Sequence, residues 1–279
     1  MKNILVPIDF SIYSLSAAKS AAVIASKSDA KIILLHITDI PVGFEKQSVA
    51  QQQQYPELEE RLVKAKVKID KFSQLPVFAN CSVLTNVRGG VAFEQIIIFA
   101  ERNKIDLIVM GVHGGGESYG KFIGSTAQRV MRSSLCPVLG IKRSYNIGGI
   151  KKILFASDFD EDVRSAVEKV KELATDLKAN VDLAFINTPG NFIDDSTMEG
   201  RMKKFIVGER RVKLQTVIHN SNHREEGIIQ CAKKRNANMI AMVTHLRTHR
   251  VGYLIGITES VLFQSKLPVL SIIINPYKS

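Results

Sequence analysis

Tryptophan is absent from the 279 residues, aromatics make up only 7% of them, and cysteine occurs three times. Cys81, Cys136 and Cys231 are odd in number, far apart and without a Cys-x-x-Cys spacing. That pattern argues against a disulfide framework or thiolate zinc site and leaves reduced thiols in or beside core elements. No apolar run approaches the roughly 18 residues of a membrane span. The opening stretch, Met1-Lys2-Asn3-Ile4-Leu5-Val6-Pro7-Ile8-Asp9, is apolar only briefly before it meets a carboxylate. It reads as a buried strand and not as a signal peptide, so a cytoplasmic protein without membrane contact is expected. A Walker loop with its Lys-Ser/Thr pair is missing too. His245-x3-His249 is the nearest approach to metal-ligand spacing, and it is too sparse to define a site.

What is present is an ordinary globular composition, 45% hydrophobic and 23% charged, at a length that favours two domains. The net charge is +11. Residues 1–147 hold 18 Lys and Arg against 12 Asp and Glu, and the remainder holds 20 against 15, so no basic tail exists. Such a field helps recruit anions such as nucleotides. With few aromatics and no nucleic-acid motif, a nucleic-acid partner is not expected.

The chain repeats itself. Lys2-Asn3-Ile4-Leu5-Val6-Pro7-Ile8-Asp9-Phe10 returns as Lys151-Lys152-Ile153-Leu154-Phe155-Ala156-Ser157-Asp158-Phe159, an offset of 149. Asp106-Leu107-Ile108-Val109-Met110 returns as Asn238-Met239-Ile240-Ala241-Met242 at an offset of 132, and Cys136-Pro137-Val138-Leu139 as Leu267-Pro268-Val269-Leu270. The second unit is therefore shorter between its second and third strands, where the first carries the Gln51 to Gln54 run. Domains of 1–146 and 147–279 follow.

In the first unit, strands are predicted at Asn3–Ile8, Lys31–Ile37, Val77–Leu84, Leu107–Met110 and Val138–Ile141, all continuous apolar runs suited to parallel strands covered on both faces. Helices are predicted at Ile12–Ser26, Glu57–Gln74, Val91–Asn103 and Ser125–Ser133, with Ser11 and Asp160 as N-caps of the first helix in each unit. The alternation predicts an α/β fold of two tandem doubly wound, Rossmann-like domains. Each is then a five-stranded parallel sheet with helices on both faces, for which the order 3-2-1-4-5, one of the common doubly wound orders, is expected.

After the fourth strand comes Gly111-Val112-His113-Gly114-Gly115-Gly116, and Gly124-Ser125-Thr126 then opens a helix, giving the spacing Gly-x2-Gly-x9-Gly-Ser. A helix N-terminus offers unpaired N–H groups and partial positive charge to an anion. Glycines let the preceding backbone approach oxygens closely. Together these read as a phosphate cradle.

At this point the sequence resembles the universal stress protein family, over essentially the whole chain, twice. The glycine spacing, Asp9 ending the first strand, Leu34-Leu35-His36-Ile37 ending the second and Cys136-Pro137-Val138-Leu139 opening the fifth carry the resemblance. It implies an ATP site, with Mg2+ carried by the nucleotide. Asp9 faces the ribose or adenine, the main chain at Ile37 reads the adenine edge, and Gly111, Gly114, Gly124, Ser125 and Thr126 hold the phosphates. Pro7, Ile8 and Met110 flank that site at strand ends, and His113 lies in its loop. Gly115-Gly116 departs from the family, which more often has an Arg and a small residue there. In the second unit Gly111 becomes Val243, Gly114 becomes Leu246 and Ser125 becomes Ile257, while Asp158, Gly252, Gly256 and Thr258 survive. That site is expected not to take ATP.

The expected function is an ATP-binding stress-response module acting through nucleotide-dependent conformation or partner binding. The alternative is a slow ATPase or self-phosphorylating protein with Ser125 or Thr126 as acceptor. His113-Gly114-Gly115-Gly116 also looks like an esterase oxyanion loop, but the Gly-x-Ser-x-Gly elbow which that class needs is not expected with it. The Ser-Gly-Gly-x-Asp-Ser loop of ATP pyrophosphatases is replaced by Ile8-Asp9-Phe10-Ser11. The fifth strands lie at sheet edges, so pairing them within the chain, or in a homodimer, is the expected way to cover them.

Overall fold

A computed structural model describes residues 1–112, 124–142, 145–160, 163–245 and 256–274, the side chain of residue 245 excepted. The first half runs β1 (Asn3–Pro7), α1 (Ile12–Ser28), β2 (Lys31–Thr38), α2 (Val49–Gln52), α3 (Pro56–Ser73), β3 (Val83–Gly89), α4 (Ala92–Arg102), β4 (Leu107–Gly111), α5 (Ser125–Ser133) and β5 (Val138–Ile141). The second runs β6 (Lys152–Ala156), α6 (Arg164–Leu177), β7 (Asn180–Asn187), α7 (Asp195–Ile206), β8 (Leu214–Asn220), α8 (Arg224–Lys234), β9 (Met239–His245), α9 (Ile257–Gln264) and β10 (Val269–Ile274).

The strands form one sheet in the order β3-β2-β1-β4-β5-β10-β9-β6-β7-β8, so each half shows the doubly wound order 3-2-1-4-5. Pairing is parallel within each half. The halves meet where β5 and β10 run antiparallel with Leu139 opposite Leu270. Because side chains alternate across a strand, Ile4 and Val6 enter one core with α1, α3, α6 and α7, and Leu5 enters the other with α4, α5, α8 and α9. Both cores run through both halves.

The duplication reaches the backbone. Among the described residues, the non-glycine positions with positive φ are Phe10, Asp29 and Lys104, and their counterparts Phe159, Lys178 and Asn236. Each costs steric strain, so their return at matching places marks inherited turns. The shortening falls between β2 and β3, where α2 and α3 are answered by α7 alone. One residue more is lost inside α9, which has 8 residues against 9 in α5. From there on the offset is 131.

Two expectations need correction. The third strand begins at Val83 and not at Val77, because Pro76 opens a 3-10 turn that sends Phe78 into the core. Its ring locks φ and removes a ladder donor, so an apolar run beginning there need not be a strand. Asp160 does not cap α6, which starts at Arg164; its carboxylate meets Arg201 at 3.2 Å instead. Ser11 does cap α1, its hydroxyl accepting the Ser14 N–H.

Candidate functional site

Strand order reverses between β1 and β4, and an open α/β sheet leaves a crevice beyond its strand ends at that point. Here the crevice has a volume of about 250 Å3, with Pro7, Ile8, Asp9, Ile37, Met110, Gly111, Gly124, Ser125 and Thr126 all on its wall. His113 and Gly114 lie outside the described residues.

Each group arrives by ordinary local chemistry. Ile8 is fixed by its own N–H donating to the Leu35 carbonyl at 2.8 Å and by the His36 ring, whose Nδ1 sits 2.7 Å from the Ile8 carbonyl. Burial pushes the His36 pKa down. Asp9 follows, and its Oδ1 accepts the Ser11 N–H at 2.9 Å. Burial raises the Asp9 pKa, but hydrogen bonds from Ser11 and Ser14 outweigh it and hold the carboxyl below its usual range. An anionic acceptor thus stands at the α1 end of the crevice. On the same wall, Gly124 leads into α5, and among the described residues no side chain caps that helix. The first N–H groups of α5 and the hydroxyls of Ser125 and Thr126 form the donor end.

Gly111 has a second reason to be glycine. A Cβ there would lie 2.5 Å from the main chain of Tyr13, so the first turn of α1 can sit against β4 only if residue 111 lacks a side chain. Spacing alone assigns that glycine wholly to phosphate. The apolar part of the wall is supplied by Leu35, Ala92 and Ile96, together with Ile37. The first three are missed by motif reading because nothing marks an aliphatic residue as lining rather than core.

The corresponding crevice of the second half is smaller, about 110 Å3, with Val243 and Ile257 on its wall. Arg224, which replaces Ala92 at the 132 offset, reaches across it and pairs with Asp158 at 3.2 Å. Asn191 donates to the other oxygen of Asp158 at 3.3 Å. Thr258 survives as a residue but is turned inward, its hydroxyl 2.9 Å from that of Thr244. Motif comparison finds the lost glycines and misses Arg224, although the alignment holds it in plain view. Leu246 and Gly252 lie outside the described residues.

One argument from sequence fails. The letters of a Gly-x-Ser-x-Gly elbow do occur, as Gly116-Glu117-Ser118-Tyr119-Gly120, outside the described residues. The case against an esterase rests on position. A nucleophile elbow joins a strand directly to a helix, whereas β4 ends at Gly111 and α5 opens at Ser125, each seven residues along the chain from Ser118. Among the described residues no group of three or more His, Cys, Asp or Glu could hold a metal ion. No helix among them is long and apolar enough to cross a membrane.

Comparison with known proteins gives one consistent result. Universal stress protein MJ0531 of Methanocaldococcus jannaschii is 33% identical over 147 residues, which is 51% of this chain and 82% of that protein. Universal stress protein MJ0577 of the same organism is 27% identical over 154 residues, 51% of this chain and 95% of its own. Among solved structures, a universal stress protein from Archaeoglobus fulgidus superposes with a TM-score of 0.77 at 20% identity, covering 97% of this chain and 98% of that one, and so shares the fold. The profile of the Universal stress protein family matches residues 1–142 and again 149–272. Matched once by each half of a duplicated sheet, that profile makes the chain a member of the universal stress protein family.

Proposed function

We propose that the first half binds one ATP per chain and that the protein acts as a nucleotide-responsive module rather than as a catalyst. The observation that carries this reading is the contrast between the two crevices. The first is lined by a carboxylate, by a helix N-terminus with two hydroxyls that no described side chain caps, and by aliphatic side chains. In the second, the matching carboxylate is already held by Arg224 and Asn191.

The donor set suits the nucleotide. Asp9 accepts hydroxyl protons of a ribose, Ile37 and Ile96 offer an apolar slot for a base, and Gly124, Ser125 and Thr126 direct N–H and O–H groups at phosphate oxygens. Any Mg2+ arrives on the nucleotide. Hydrolysis needs a base aimed at water or at a hydroxyl acceptor, and no described residue besides Asp9 is placed for that role.

The test installs the second half's own solution in the first. Ala92→Arg puts a guanidinium within reach of Asp9, as Arg224 is of Asp158, and should abolish ATP binding while the melting temperature without nucleotide stays within about 2 °C of the parent. For the parent, titration calorimetry should give one site. ATP at about 100 times its dissociation constant should add roughly 2.7 kcal/mol of stability. Release of ADP should not exceed the protein-free control. Two equal sites, or undiminished binding by the Ala92→Arg chain, would overturn the assignment.

A further inference from the structure

The joint between the halves is chemically one-sided. At the α5 end, Arg132 makes a bidentate pair with Glu259 through Nε to Oε1 and Nη2 to Oε2, the latter at 2.5 Å. The Glu259 side chain is only 4% exposed, against 43% for Arg132. Glu259 also accepts the Gly256 N–H at 2.7 Å, so its carboxylate occupies the N-terminus of α9, where α5 has no capping side chain among the described residues. At the other end of α9, the Lys142 ammonium donates to the carbonyls of Phe263 at 2.8 Å and Ser265 at 2.5 Å. Two cations of the first half therefore bracket one helix of the second.

The pairing of Leu139 with Leu270 places an approximate two-fold axis at the joint, since these are equivalent residues at the 131 offset. The same offset carries Arg132 onto Phe263 and Lys142 onto Ile273. The N–H bonds of Ser134 to Val130 and Ser265 to Val261 fix that correspondence at the helix ends. A second half presented with another second half would thus meet Glu259 with a phenyl ring and the α9 carbonyls with an aliphatic chain. Gly140, whose missing Cβ would stand 3.0 Å from the Leu262 side chain, corresponds to Ser271, so such a pair would be crowded there as well. A buried carboxylate without its cation is strongly destabilising.

We infer that the second half is a dedicated partner for a first half: its degenerate helix terminus has become a socket for Arg132, and the surface rejects a copy of itself. The β10 edge is thereby reserved for the β5 edge of a first half, and the occupant in the free chain is its own β5. This does not depend on the nucleotide reading.

The test uses the full chain. Arg132→Phe gives the first half the residue that a second half would offer to Glu259. It should lower the melting temperature by on the order of 5–10 °C and produce concentration-dependent association in sedimentation. Adding Glu259→Gln, which keeps an acceptor for Gly256 but removes the charge, should return more than half of that loss. The charge-reversed pair Arg132→Glu with Glu259→Arg should melt closer to the parent than either single change does. The inference is overturned if Arg132→Phe melts within about 1 °C of the parent and associates no more than the parent does. It is also overturned if Glu259→Gln gives no recovery, since packing and not charge would then explain the loss.

Discussion

Gly111 stands where two demands coincide. It lies on the crevice wall, and its bare Cα lets the main chain of Tyr13 come to where a Cβ would be. A change of one methyl group must therefore push α1 away from β4. Gly111→Ala should cost about 1–3 kcal/mol, read as a lower denaturant midpoint with an unchanged slope, before any ligand is added. Glu209 offers a second test. Its carboxyl is held down to about 2 by hydrogen bonds from Arg211, against opposing burial, with the Lys171 ammonium 3.1 Å away. A carboxyl lowered from 4.5 on folding adds stability that is complete above about pH 5 and is lost as pH falls towards 2. Glu209→Gln should flatten the melting temperature against pH in that window and leave the slope above it unchanged. The spacing of the glycines is legible from the chain, but the reason for Gly111 is not, because Tyr13 is nearly a hundred residues away in sequence.

Among the elements, α1 is the one on which the crevice leans. Its N-cap Ser11 accepts the Ser14 N–H and donates its own N–H to Asp9. Ser11→Ala removes the cap but keeps the backbone donor to Asp9. It should cost about 1 kcal/mol, seen as a melting shift of a few degrees. The helix and its cap can be read from the sequence, because both depend on neighbours within four residues. The start of β3 cannot. Val77 and Phe78 look like strand residues, and only the core that receives Phe78 reveals a 3-10 turn there. Arg224 is similar: as a residue opening α8 it looks like a solvated charge, and its role appears only when Asp158 arrives from β6.

For the whole molecule, the continuity of both cores across the halves predicts cooperative unfolding. Circular dichroism and hydrogen-exchange probes placed in either half should report one transition. Leu139 and Leu270 are 0% and 1% exposed at the antiparallel join. Leu139→Ala should remove about 2–5 kcal/mol and separate the transitions of the two halves. Coincident transitions with that loss would show that the joint is not what couples them.

The sequence by itself determined the duplication and the strand–helix alternation, and with them a doubly wound sheet in each half. These follow from hydrophobic period and turn chemistry, which act over a few residues and so leave a local record. It also marked Gly111, Gly124, Ser125 and Thr126, because glycines and hydroxyls at a helix start advertise themselves, but not Leu35, Ala92 or Ile96. Only the tertiary structure decided that β5 takes the chain's own β10 as its neighbour, that Arg224 closes the second crevice, and that Arg132 seats on Glu259. Each of those depends on which charges and edges are brought within about 3 Å across a hundred or so residues. A charge has the same letter whether it faces water or a partner, and burial decides between them.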